Sequence, residues 1–221
     1  MSGFAADWLD AREPLDHASR SAVLAGRFAA ALGPEPRLLD LGSGTGSNIR
    51  YLKPRLGRPQ LWLALDHDPA LLEALAQRSG AASARDEGDL ALDGSGGRSR
   101  ITPRRVDLND LDRVFALGEV DAVTASALLD LTSADWLDRL AGHVAAASLP
   151  ALFALSFDGR MSFAPERAED EEVRSRFLRH QRTDKGFGPA LGPDAALHLA
   201  SALRQRGRAV ELAPSDWRLG P

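Results

Sequence analysis

Apolar and polar positions along the chain switch between a helical period and short continuous runs. Over residues 5–32, Trp8, Leu9, Leu15, Val23, Leu24, Phe28 and Leu32 give one apolar side at helical spacing, and Pro14 is expected to break or restart that helix. "GPEP" at 33–36 is a linker. Strand and helix patterns then alternate. "RLLDL" reads as a buried strand, "SNIRYLKPRL" as a helix and "LWLALD" as a second strand. "PALLEALAQR" is a second helix, with Asp68 as its cap and Pro69 at its first position. "ITPRRVDL", "VDAVTASALL" and "ALFALSF" read as the next three strands, with the Ser133-capped helix "SADWLDRLAGHVAAA" before the last of them. Two further helices, "PERAEDEEVRSRFLRHQ" and "DAALHLASALRQRG", lead to a sixth strand, "RAVELA".

Strands separated by helices at this spacing predict parallel βαβ units. The fold class is therefore α/β: a doubly wound, mostly parallel Rossmann-like sheet with helices on both faces and an N-terminal helical cap. Residues 1–36 form the cap and linker, and 37–221 the main domain. That domain carries a Gly/Ser-rich loop insertion at 79–100 and a second insertion at 160–193. After Ala213, "PSDWRLGP" offers at most a tight hairpin partner, so the end of the sheet is expected to be trimmed.

Composition narrows the classes. With 44% apolar and 26% charged residues, the chain is an ordinary globular one and not a disordered segment. The net charge of −4 gives no global basic field for nucleic acid or an anionic membrane. No apolar run approaches the ~18 residues of a membrane span. Cysteine is absent, which excludes disulfides and thiolate chemistry and fits a reducing compartment. The first twenty residues lack the order of a secretory signal, so a cytoplasmic location is expected. No His/Asp/Glu cluster has metal-ligand spacing, and no metal is predicted.

The chemistry concentrates in "RLLDLGSGTGSNIRYL". Gly42, Gly44 and Gly46 permit a sharp turn at the end of the first strand and bring bare backbone against a ligand. A dinucleotide fingerprint is disfavoured: its third glycine position holds Ser47, and Asp40 would oppose a pyrophosphate. A P-loop is excluded, since no Lys-Ser/Thr follows the glycines. An acid beside a glycine turn suits a ligand with a cationic amino-acid end. The D-x-G-x-G-x-G pattern of "DLGSGTG" resembles the first motif of class I S-adenosylmethionine-dependent methyltransferases.

The resemblance runs from about Leu38 to Phe157 and implies S-adenosyl-L-methionine as cofactor. It assigns Asp40 to the methionine amino group, and Gly42, Ser43, Gly44 and Gly46 to the loop packed on the sugar and methionine portion. Asp66, at the end of the second strand, would accept from the ribose hydroxyls, with His67 beside the adenine. Asp107 would receive the adenine amino group and the Leu108 N–H would meet the ring, although Asp110 and Asp112 nearby leave a turn role open for Asp107. Thr124, Ala125 and Ser126 would floor the methionine moiety.

On the acceptor side, Asp130 is a candidate base or a cap acid. "RHQRTDKGFGPALGP" is expected either to cover the acceptor or to be a solvated loop anchored by its Phe. In the first case His180 serves as base, Arg182 and Lys185 as an anion clamp and Phe187 as a wall. Arg12, with Trp8 and Glu13, is expected either to close the pocket from the other side or to belong to an ordinary amphipathic helix that caps the sheet. The expected activity is methyl transfer to a small polar acceptor. The alternatives are a nucleic-acid methyltransferase, disfavoured by the acidic charge and the lack of an Asn/Asp-Pro-Pro-aromatic tetrad, and a non-catalytic cofactor-binding partner. A homo-oligomer is compatible with either.

Overall fold

The computed structural model describes residues 5–79, 90–92 and 99–220. Six strands form one sheet: β1 Arg37–Leu41, β2 Gln60–Asp66, β3 Leu90–Leu92, β4 Ser99–Arg105, β5 Ala122–Ser126 and β6 Ala151–Ala154. Their spatial order is β3-β4-β2-β1-β5-β6, parallel throughout except for the β3–β4 pair. From β1 the chain winds outward through β2 to β4, then returns across β1 to β5 and β6. The reversal puts a crevice at the carboxyl ends of β1 and β5, where open α/β sheets take their ligands.

Helices cover both faces. They are α1 Ala6–Ser19, α2 Ala22–Ala30, α3 Ser47–Leu56, α4 Pro69–Arg78, α5 Leu111–Phe115, α6 Ala134–Ala146, α7 Asp170–Gln181 and α8 Ala195–Gln205. One core joins the sheet to α5, α6 and α8 through residues such as Leu39, Leu41, Val123, Trp136, Leu140 and Leu199. The other joins it to α2, α3 and α4 through Phe28, Leu38, Ile49, Tyr51, Trp62 and Leu75. β1 is buried on both sides, which is why its sequence is a continuous apolar run and not an alternating one. Asp68 caps α4 by accepting from the Ala70 N–H, and Ser133 caps α6 by accepting from the Trp136 N–H. α2 contributes Ala25, Phe28 and Ala29 to the second core, whereas α1 and α7 contribute no residue to either core.

Three expectations change. Pro14 lies inside α1 on its exposed side, where the carbonyl it frees can meet water; the break falls at Arg20 and Ser21, whose extended backbone lets the Ser21 hydroxyl cap α2. Residues 208–213 form no strand. One of their ladder groups, the Val210 carbonyl, accepts from the Arg204 guanidinium, and the Glu211 side chain pairs with Arg27. Within the 79–100 insertion, Leu90–Leu92 and the start of β4 add to the sheet, while 80–89 and 93–98 lie outside the described residues. Among the described residues no helix is long and apolar enough to cross a membrane, and no group of three or more His, Asp or Glu side chains is arranged to hold a metal ion.

Candidate functional site

The glycine loop leaves β1 through three left-handed residues, Gly42 at φ 65°, Gly44 at 53° and Gly46 at 85°. The Ser43 N–H donates to the Leu65 carbonyl at 2.8 Å, fastening the loop to the end of β2. Beneath it lies Asp40, 1% exposed. Its Oδ1 accepts from Asn48 Nδ2 at 2.5 Å and from the Thr124 hydroxyl at 2.8 Å. Its Oδ2 is buried and receives no donor. Burial pushes the Asp40 pKa up, against the hydrogen bonds from Asn48 and Thr124, the nearby Ser43 hydroxyl (which donates to the Asp40 backbone carbonyl) and the charge of Arg20.

Asp66, also buried, stands one strand away. Its Oδ2 accepts from the Gly44 N–H at 2.9 Å and its Oδ1 from the Asp68 N–H at 3.0 Å, so the carboxylate is fixed and each oxygen keeps a lone pair. His67 is exposed, with Nδ1 3.4 Å from Asp66 Oδ1. Farther along the same rim, the Asp107 carboxylate is exposed and accepts from the Asn109 N–H and side-chain amide, both at 3.0 Å. Leu108 is buried, its carbonyl held by the Trp136 indole at 2.7 Å. Thr124 and Ala125 are buried in the floor and Ser126 half-buried at its edge. Asp40, Asp66 and Asp107 thus lie at or just past the carboxyl ends of three neighbouring parallel strands.

Helix α1 lies over this loop. A Cβ on Gly44 would stand 3.4 Å from Leu9 Cδ1. Glu13 pairs with Arg50, whose Nη1 donates to the Thr45 carbonyl at 2.6 Å. Arg50 depresses the Glu13 pKa despite the burial that raises it. His17 Nε2 is 3.1 Å from both the carbonyl and the hydroxyl of Ser47. Residues 9, 13, 17 and 20 therefore bring one side of α1 and its C-cap onto the loop and the start of α3.

Asp130, the sequence candidate for a base, is 7% exposed in the short turn after β5. Burial raises its pKa to about 6, countered by the N–H groups of Asp130 itself and Phe157 and by the charge of Arg12. Its Oδ1 has no donor. Arg12 makes a two-pronged pair with Asp16, at 2.8 and 3.1 Å, and lies 4.8 Å from the ring centre of Trp217. Two non-glycine residues adopt left-handed backbones beside this point, Ala127 at φ 54° and Leu155 at 59°. Local strain of this kind persists only where the surrounding packing imposes it.

The 179–193 segment packs along α6 and reaches the end of the turn that carries Asp130. His180 is exposed, 3.3 Å from Lys185 Nζ, and Lys185 also donates to the Thr183 hydroxyl. Arg182 pairs with Asp194 at 2.8 Å. Phe187 packs edge-on against Trp136 at 5.5 Å, the Gly186 carbonyl accepts from Asn109, and the Leu191 N–H donates to the Thr132 carbonyl. The segment braces the outer wall of α6 and the loop after β4. It brings none of His180, Arg182, Lys185 or Phe187 into contact with Asp130. Phe187 is an anchor of the core because Trp136 gives it an aromatic edge to pack on, and the two cations have nearer partners. Asn48 and Arg20, which tie down Asp40, were not among the sequence candidates; the only sequence signal for Asn48 is its place two residues after the last glycine of the turn.

Strand order and the position of the glycine loop at the switch point define a Rossmann-like α/β fold. No family model and no curated protein sequence matches the chain. Solved structures do. A possible exported protein from Bordetella parapertussis is similar at a TM-score of 0.55 and 16% identity, over 93% of this chain and 73% of that one. An S-adenosylmethionine-dependent methyltransferase from Leishmania major gives 0.49 and 14%, over 91% and 65%. The arsenic(III) S-adenosylmethionine methyltransferase of Chlamydomonas reinhardtii gives 0.46 and 19%, over 88% and 61%. The chain thus spans about three fifths of the length of the last of these.

Proposed function

We propose that the protein transfers a methyl group from S-adenosylmethionine to a small polar acceptor. One observation carries the reading: a buried carboxylate oxygen, Asp40 Oδ2, has no donor and lies beside a loop with three left-handed glycines at the switch point of the sheet. A buried acceptor without a donor is costly unless a ligand supplies one, and an α-ammonium does so while neutralising the charge. The donor set fits the rest of the cofactor. Asp66 keeps a lone pair on each oxygen for two ribose hydroxyls, and Asp107 with Leu108 borders the place of the base.

When bound, the cofactor supplies an activated methyl on a sulfonium. The chain's own work is to fix and exclude. Asp40 and Asp66 would hold the cofactor, and α1, packed over the glycine loop, would shield it from water. Alignment of this sort can account for about 7–11 kcal/mol of barrier. Asp130, with a pKa raised to about 6, is the group placed to take a proton from an acceptor hydroxyl or amine. Arg12 beside it keeps the pocket from accumulating negative charge.

Titration calorimetry with S-adenosylhomocysteine tests the reading, with NAD as the control. Saturable heat with the first and none with the second is expected. Heat with NAD alone would replace the methyltransferase reading with a dinucleotide one.

A further inference from the structure

Asp40 is held asymmetrically, and the asymmetry has a source outside the crevice. Both donors that reach the carboxylate, Asn48 Nδ2 and the Thr124 hydroxyl, go to Oδ1, and Oδ2 has none. Asn48 is itself oriented. Its Oδ1 accepts from Arg20 Nη1 at 2.6 Å, which fixes the amide so that its NH2 faces Asp40. Arg20 is 8% exposed, a rare situation for a guanidinium, and its place is set by the ring of Tyr51 at 4.0 Å. Arg55 stacks on the same ring at 3.6 Å. Burial lowers the Arg20 pKa to about 10, while Tyr51, Asp40 and Asp16 favour its charge and Arg55 opposes it. It therefore remains a cation at neutral pH. The chain has spent a buried charge on a residue one amide removed from the carboxylate.

We propose that Arg20 and Asn48 form a positioning relay that turns Asp40 Oδ2 toward the amino-acid end of the ligand. The inference rests on the reading that the crevice takes S-adenosylmethionine. The relay residues touch no ligand. They determine how strongly the crevice distinguishes a nucleoside thioether that carries an α-ammonium from one that does not. The groups facing this arrangement are Thr124 on β5, Asp16 on α1, and Tyr51 and Arg55 on α3; none supplies a second cation directly to Asp40.

Calorimetry on the full chain, with S-adenosylhomocysteine and with 5′-methylthioadenosine, separates the possibilities. The second ligand keeps the sugar and base but lacks the amino-acid end. Arg20→Met and Asn48→Ala should each lose roughly tenfold or more in affinity for S-adenosylhomocysteine, the scale of a charged hydrogen bond, while 5′-methylthioadenosine changes little. Arg20→Lys, which keeps the charge, should recover part of the loss and serves where Arg20→Met does not fold. The ratio of the two affinities should also fall off at higher pH in Arg20→Met than in the wild type, because Asp40 then holds its proton more readily. Equal losses for both ligands, or an unchanged ratio, would overturn the relay and leave the cofactor reading intact. Wild-type protein that binds neither ligand would remove both.

Discussion

The indole N–H of Trp136 donates to the carbonyl oxygen of Leu108 at 2.7 Å, joining the start of α6 to the loop after β4. Both residues are buried, so no water competes for that carbonyl. A core residue thereby fixes the peptide that borders the proposed base site. Trp136→Phe keeps most of the packing against Phe187 and removes the donor. Stability should fall by about 1–3 kcal/mol, the cost of a buried acceptor left unmade. The urea midpoint reads this directly, and an unchanged midpoint would mean that the carbonyl finds another donor.

Asp66 holds the Gly44 N–H and the Asp68 N–H, one on each oxygen. Removing the carboxylate with Asp66→Ala should weaken S-adenosylhomocysteine binding by about 1.5–3 kcal/mol, the range of hydrogen bonds to a charged acceptor. Asp66→Asn keeps one acceptor oxygen and should fall between the two. Calorimetry on variants whose circular dichroism matches wild type is the measurement. Equal affinities across the series would take the sugar away from Asp66.

The glycine turn is tested by a contrast within the chain. Gly46 and Gly57 both adopt left-handed backbones, at φ 85° and 60°. A Cβ at Gly46 would stand 3.0 Å from Leu75 Cγ and 3.2 Å from Arg50 Nη1, whereas Gly57 has nothing within 4 Å. Alanine at either position costs ~1–2 kcal/mol for the backbone alone. Gly46→Ala should cost ~1–3 kcal/mol more, because Leu75 belongs to a packed core. Equal losses in chemical denaturation would show that Leu75 yields without penalty.

Elements whose burial repeats at a regular period were legible before any coordinates. "RLLDL" and "LWLALD" read as buried strands because both faces are covered, and Asp68-Pro69 announced the start of α4. The place of Asp40 and the three glycines followed from backbone requirements that few other residues meet. "RAVELA" misled because alternation reports a half-buried segment, not a partner for its backbone; here Arg204 occupies the Val210 carbonyl. The break between α1 and α2 was hidden for a similar reason, since an exposed proline costs a helix less than its rule suggests. Asp130 and Arg12 could be named from the chain, but Arg12, Asp16, Asp130 and Trp217 come from three distant parts of it, and only tertiary packing brings them near one another. Local density of charge and glycine also drew attention to 179–193, where His180 is exposed while Asp130 is buried.

That difference between Asp130 and His180 gives the sharpest test. The Asp130 pKa is raised to about 6, against about 3.9 for the unfolded chain. A raised acid binds its proton more tightly when folded, so its contribution to stability is full below about pH 4 and is lost as pH climbs through 6. Asp130→Asn, which never ionises, should therefore gain on wild type above about pH 7, by at most ~2–3 kcal/mol, and lose that advantage near pH 4. Activity should run the other way, because only the ionised carboxylate can accept a proton. On an identified acceptor, wild-type kcat/KM should rise through about pH 6, and Asp130→Asn should lose about 100-fold or more together with that limb of the profile. His180→Ala should stay within about twofold of wild type, the scale of an ordinary surface change. A flat wild-type profile, or a large loss at His180 with none at Asp130, would transfer the proton-accepting role away from the turn after β5.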